Sequence, residues 1–343
     1  MNSMAKHIVI AGGGVAGMEA AGALAEMGHR VSIIEKEKNP GGHISNWHAL
    51  FPDRRPAGEV KSYLAQRVAR ENIKLITATT VEEISRNDNG MTVKVSDGSS
   101  LNADAVIVAT GFDLFDAQRK EEYGYGIYDN VITSADLERM FNDESLLTSD
   151  GRVPVRIGFV HCVGSRDEKV CNNHCSKVCC VTAVKQAIEV RAKLPGCEVF
   201  CFYMDMRMYG PYYEELYRES QETYNVNYIR GKVSEASATL NKRVTLKVED
   251  TLAGRPLKME VDLLVLMVGM EMSAPGARLA KASGLQTGIN RFLEAEDHHY
   301  GSNNSKMEGL FYAGTCTAPM NITDTISHAR SAAVEAMNYL SSK

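Results

Sequence analysis

Two stretches of the chain repeat one pattern: an apolar strand, a turn, a helix and a second apolar strand. The first has a strand at His7–Ala11, a glycine-bearing turn, a helix of small residues through MEAAGALAEMG and a strand at Val31–Ile34. The second begins after Pro154, with VRIGFVHCV, an amphipathic helix over roughly 177–193, and the strand EVFCFYM. ADAVIVATGF at 103–112, alternating VTLKVED, the apolar run VDLLVLMVGM and GLFYAGT at 309–315 supply further strands, and a last helix starts around Thr323 to Thr325. Strands alternating with helices at this spacing predict an α/β fold built on two βαβ units.

Composition is that of an ordinary globular protein: 343 residues, 44% hydrophobic and 24% charged, a length that suits about two domains. The formal net charge of -5 gives no basic footprint, so no nucleic-acid partner is expected. No apolar run approaches the ~18 residues that span a bilayer, and MNSMAKHIVIAGGG has no secretion-signal pattern. A cytoplasmic protein is the expectation.

The first turn carries chemistry. Gly12, Gly14 and Gly17 form GxGxxG between a strand and a helix that Val15 and Ala16 open. The first glycine permits the tight turn, the second lets a pyrophosphate approach the backbone, and the third lets helix and strand pack closely. Glu35 ends the next strand, eighteen residues beyond Gly17, where a carboxylate can accept hydrogen bonds from ribose hydroxyls. This turn alone does not separate NAD from FAD.

The rest of the chain bears on that choice. GLFYAGT, the following CTAPMNITDTISHARSAAVEAMNYL and ADAVIVATGF together resemble the two-dinucleotide-binding flavoprotein superfamily, of which the thioredoxin reductases are one kind. The resemblance implies an FAD domain with a second Rossmann-like domain inserted in it, and the two repeats set their limits at 1–144 with 285–343 and at 145–284. It places Gly41, Gly42 and His43 of the NPGGH run, together with Lys36, Val81, Ala109, Thr110, Gly111, Gly314, Met320, Asn321, Ile322 and Thr323, beside the flavin. Where thioredoxin reductases carry a second glycine loop for NADPH, this chain reads HCVGSRDEKVCNNHCSKVCC, with Gly164 as its lone glycine. That loop cannot form the usual phosphate cradle.

Five of the eight cysteines, Cys162, Cys171, Cys175, Cys179 and Cys180, crowd into this nineteen-residue stretch. A chain of this size needs no disulfide staples, so bound metal is the better explanation. Cys175 and Cys179, four apart, are expected on one helix face, with Cys180 pointing about 100° away. Adjacent cysteines suit a single tetrahedral zinc ion poorly, whereas a four-iron cube accepts diverging thiolates. Cys197 and Cys201 read as core residues, Cys316 as an inert buried thiol rather than a flavin neighbour, and His161 and His174 as bystanders rather than ligands.

The spacing Cys-x12-Cys-x3-Cys-Cys, within HCVGSRDE and HCSKVCC, and YMDMRMYGPYYEELY at 203–217 resemble the flavin-bearing A-type subunit of heterodisulfide reductase, over nearly the whole chain. That resemblance implies a [4Fe-4S] cluster on Cys162, Cys175, Cys179 and Cys180, with Cys171 spare, and places Lys185 near flavin N5. Larger members carry ferredoxin-like CxxCxxCxxxCP runs, absent here. This short form is similar to subunits of sulfur-oxidising complexes, which implies iron–sulfur partner subunits and a lipoate-carrying protein, and the flavoprotein superfamily resemblance implies a homodimer. The function so implied is an electron-transfer oxidoreductase subunit in thiol–disulfide metabolism, converting electron pairs on FAD to single electrons on a cluster. Two rivals stand beside it: a stand-alone NAD(P)H-dependent disulfide reductase, and a zinc-stabilised flavin-binding scaffold. No CxxC redox pair is present, so the disulfide chemistry proper is expected on a partner.

Overall fold

The computed structural model describes residues 5–88 and 90–343. The chain divides into two compact units: one holds the chain up to Ser45, Gly58–Asp113 and Glu271–Lys343, the other Asn46–Ala57 and Leu114–Met270.

In the first unit, five parallel strands lie in the order Leu310–Tyr312, Ala105–Val108, His7–Ala11, Arg30–Ile34 and Ile73–Ile76. Their near-continuous apolar sequences suit strands covered on both faces. One cover is the Val15–Glu26 helix together with the Ile322–Ser341 helix, whose alanines pack with Ile8, Ile10 and Ile33. The other is the antiparallel sheet of Val81–Asn87, Gly90–Val95 and Ser100–Ala103. The last helix begins at Ile322, a residue before the expected start, because Asn321 caps it by accepting Asp324 N–H at 2.7 Å.

The second unit repeats this plan. Its parallel strands run in the order Val131–Thr133, Leu263–Val268, Arg156–Val163, Glu198–Tyr203 and Asn227–Arg230, and three antiparallel strands at Val233–Ala238, Val244–Asp250 and Arg255–Val261 again precede the strand that returns to the sheet. The 145–284 span read from the repeats is shifted at both ends: the unit's long segment begins at Leu114, with Val131–Thr133 pairing to Leu263–Val268, and ends at Met270, so that residues 271–284 belong to the first unit. The Cys179–Lys193 helix crosses between the two central strands.

One expectation from sequence does not hold. The helix starts at Cys179, not near 177, so Cys175 lies in the preceding loop and does not share a helix face with Cys179. Lys177 has φ 64°, a left-handed conformation that a helix cannot contain.

Candidate functional site

The glycine turn of the first unit is a cradle with one open side. A Cβ on Gly17 would sit 1.8 Å from the Gly12 carbonyl oxygen, and one on Gly12, at φ +115°, would sit 2.3 Å from the Ala109 oxygen. Neither position tolerates a side chain. Gly14 is different: the nearest atom to its added Cβ is Gly42 Cα at 4.0 Å, which leaves the face over the helix start clear. Gly14 caps the Val15–Glu26 helix without a side-chain acceptor, so first-turn amides there are available to an anion. Glu35 is buried; its Oε2 accepts Gly13 N–H at 2.7 Å and its Oε1 accepts Glu37 N–H at 2.9 Å. A carboxylate has about four acceptor positions, so two backbone donors leave room for ribose hydroxyls.

The NPGGH segment closes on this turn. Gly41 N–H donates to the Gly13 carbonyl at 2.8 Å, Gly41 and Gly42 both have positive φ, and the His43 ring stacks on Phe112 at 4.3 Å with Nε2 2.8 Å from the Phe112 carbonyl. Gly314, at φ +73°, donates its N–H to His328 Nδ1 at 2.9 Å; a Cβ there would lie 2.7 Å from Ala16 Cβ, so Gly314 lets the C-terminal segment meet the first helix. Gly111 also has positive φ, and its added Cβ would lie 3.8 Å from Thr315 Oγ1. Thus Gly12, Gly14, Ala16, Gly17, Gly41, Gly42, Ala109, Gly111 and Gly314 are gathered around one turn. The Thr110 hydroxyl is buried without a hydrogen-bond partner among the described residues. Lys36 and Thr323 are exposed; Val81, Met320, Asn321 and Ile322 are half-buried. The turn fits the pyrophosphate of a dinucleotide.

In the second unit the cysteine-rich loop replaces that turn. A register irregularity between Val160 and Val163 puts Cys162 at φ 59°, bulged from the central strand. Asn172 donates to the Gly164 carbonyl at 3.1 Å, Ser165 and Ser176 share a hydrogen bond, and Ser176 Oγ accepts Met270 N–H at 2.8 Å. These bonds fix the loop's path from Cys162 to the helix. Cys162, Cys175 and Cys180 all act electrostatically on Cys179. Burial first, and neighbouring thiols after it, push Cys162 up to about 11 and Cys179 well above the ordinary thiol range. Burial raises Cys180 as well. Cys171 is exposed at the far end of a 3-10 turn.

Among the described residues no three Cys, His, Asp or Glu side chains converge as for one metal ion. Cys162, Cys175, Cys179 and Cys180 are drawn together by the loop and the helix start, and four thiols are the donor type that an iron–sulfur cluster takes. Asp205 pairs with three arginines at this loop: Arg166, beside Cys162, Arg207 and Arg230. The Arg207 backbone N–H donates to Cys180 Sγ at 3.5 Å.

Cys197, Cys201 and Cys316 are buried thiols. Burial pushes Cys316 up to about 12, and its Sγ lies 3.2 Å from the Val108 carbonyl. His174 Nε2 lies 2.9 Å from the Met270 carbonyl oxygen. Lys185 is almost fully buried in the second unit, where it donates to the Ala49 carbonyl at 3.0 Å and pairs with Glu138 and, at 3.1 Å, Glu189. Glu138 also accepts from Gln186 at 2.7 Å and from His48 N–H at 2.9 Å. Lys185 and Glu189 have the i,i+4 spacing of a helix pair, but the link of Lys185 to Glu138 and the Arg166–Asp205 pair join distant segments and have no local spacing signal.

The family described as pyridine nucleotide-disulphide oxidoreductase matches residues 1–127. The A-type subunit of the H(2)/formate:CoB-CoM heterodisulfide,ferredoxin reductase of Methanococcus maripaludis is 41% identical over 243 residues, covering 68% of this chain and 37% of that protein. The A-type iron-sulfur subunit of the CoB--CoM heterodisulfide reductase of Methanocaldococcus jannaschii is 31% identical over 417 residues, covering 96% of this chain and 63% of that protein. That alignment is longer than the chain, so the relative carries stretches with no counterpart here. The chain spans less than two thirds of either relative. Among solved structures, Lactococcus lactis thioredoxin reductase matches with a TM-score of 0.70 at 17% identity, over 98% of this chain and all of that one. Thioredoxin reductase of T. acidophilum matches with a TM-score of 0.68 at 19% identity, over 98% of both chains. The fold is therefore thioredoxin reductase-like, with two Rossmann-type units.

Proposed function

We propose, from the fact that the chain belongs to the family of A-type heterodisulfide reductase subunits, that it is a flavin-dependent oxidoreductase subunit that passes single electrons through an iron–sulfur cluster. The carrying observation is the exchange between the two repeated units: one keeps an open glycine cradle, while the other has four neighbouring thiols where its cradle would stand.

The first unit would hold FAD. Gly12, Gly14, Val15, Ala16 and Gly17 supply backbone amides and close approach to the pyrophosphate, and Glu35 takes the ribose. The NPGGH segment, with Lys36 and Val81, and Ala109–Gly111, Gly314 and Met320–Thr323 enclose the rest. Bound flavin supplies two-electron chemistry, and a [4Fe-4S] cluster held by Cys162, Cys175, Cys179 and Cys180 supplies one-electron chemistry. The chain's own contribution is to bury Cys179 and Cys180 and half-bury Cys162 and Cys175, to offset the sulfurs' charge with arginines and to exclude the second nicotinamide cradle. Its partners would be other heterodisulfide reductase-like subunits, a lipoate-carrying protein and a second copy of itself, in oxidative sulfur metabolism.

Single Cys→Ser changes test the ligand set by cluster absorbance after anaerobic purification. Loss at positions 162, 175, 179 and 180 with retention at 171 is expected, and a retained cluster in Cys180→Ser would contradict it. Anaerobic mixing with NADH or NADPH tests the stand-alone reductase: rapid flavin bleaching by either favours that rival.

A further inference from the structure

Three buried polar atoms on neighbouring side chains of the second unit have no hydrogen-bond partner among the described residues: both ring nitrogens of His161 and Nη1 of Arg166. The two side chains line one small cleft with Cys162. A neutral imidazole still carries one N–H and a guanidinium carries five, so this cleft contains donors that need an acceptor. A buried donor left unmet costs about 1–3 kcal/mol.

The carboxylates nearby are already engaged. Asp167 is paired with buried Lys120 at 2.6 Å, and Asp205 accepts Arg166 Nη2 at 2.7 Å. Sulfur remains. The Arg166 guanidinium lies against the Cys162 thiol, and its charge is also felt at Cys180. Its position is fixed from two sides, because its backbone N–H donates to the His174 carbonyl at 2.9 Å while Asp205 holds the fork. The Asp205 carbonyl in turn lies 3.7 Å from Cys180 Sγ, so one short segment ties the arginine and the thiol together.

We propose that Arg166 is a positioning residue that raises the reduction potential of the cluster on Cys162, Cys175, Cys179 and Cys180, with Asp205 holding its guanidinium against the sulfurs. This inference rests on the cluster reading above. Uptake of one electron adds one negative charge to the site and requires no proton. A fixed cation at the sulfurs favours the reduced form, and a guanidinium does not lose its proton. Of the three arginines on Asp205, Arg207 and Arg230 are half exposed, so solvent and salt screen them, and Arg166 is the least screened; buried Lys120 is engaged by Asp167 and Glu122.

The test is a dithionite titration of the anaerobically purified protein, followed by electron paramagnetic resonance of the reduced cluster, with iron and sulfide measured in each sample. Arg166→Gln is expected to retain the cluster and to shift its midpoint to more negative potential. Arg166→Lys, which keeps the charge but cannot fork between Asp205 and sulfur, is expected in between. Arg207→Gln is expected to give a smaller shift that disappears at high salt. A full cluster with the wild-type midpoint in Arg166→Gln overturns the proposal. Should that variant lose its cluster, Arg166→Lys decides: a lowered midpoint supports the proposal and a wild-type midpoint overturns it. Wild-type protein without iron and sulfide overturns the cluster reading, and this inference with it.

Discussion

Single residues decide both candidate sites. Gly17 has no space for a methyl group, because its Cβ would press on the Gly12 carbonyl at 1.8 Å, and that contact is backbone that cannot swing aside. Gly17→Ala is therefore expected to purify with little or no flavin, read from absorbance per chain. Gly58→Ala, where no atom lies within 4 Å of the new carbon, should keep the full complement. Equal flavin content in the two would contradict the cradle assignment. The glycines and Glu35 were legible in sequence because their spacing is the geometry. Arg166 and Asp205 were not, since thirty-nine positions separate them and only the fold brings them together.

At the scale of elements, the Cys179–Lys193 helix has two tasks. Its first turn presents Cys179 and Cys180, and two turns later Lys185 enters a buried group with Glu138, Glu189 and Gln186. Burial raises Glu189, and Lys185 opposes that rise. Removing the lysine strands two carboxylates in the interior, so Lys185→Met should cost about 3–5 kcal/mol, read by denaturant unfolding. Adding Glu138→Leu to that variant should recover part of the loss. Unchanged stability in the single variant would mean that the ion pairs hold nothing together. The helix itself was visible from its apolar period, but its start was not. A left-handed Lys177 breaks the helical path just before Cys179, and no periodicity rule registers one backbone angle.

For the whole molecule, the internal repeat was the most legible feature. The two parallel sheets match in four of five strands and in their antiparallel additions; the edge strand comes from the chain end in the first unit, Leu310–Tyr312, and from before the repeat in the second, Val131–Thr133. The grouping of Asn46–Ala57 with the second unit was hidden, because that segment has no pattern of its own and is held by contacts such as Arg54 with Glu219 at 2.9 Å and Phe51 against Tyr213. Among the described residues no helix is long and apolar enough to cross a membrane. In the proposed division of labour, one unit of this repeat keeps a dinucleotide and the other has exchanged it for a metal cluster. Iron, acid-labile sulfide, zinc and flavin measured together on anaerobically purified protein decide whether that exchange took place. About four iron and four sulfide with about one FAD per chain are expected; stoichiometric zinc without sulfide would contradict the exchange.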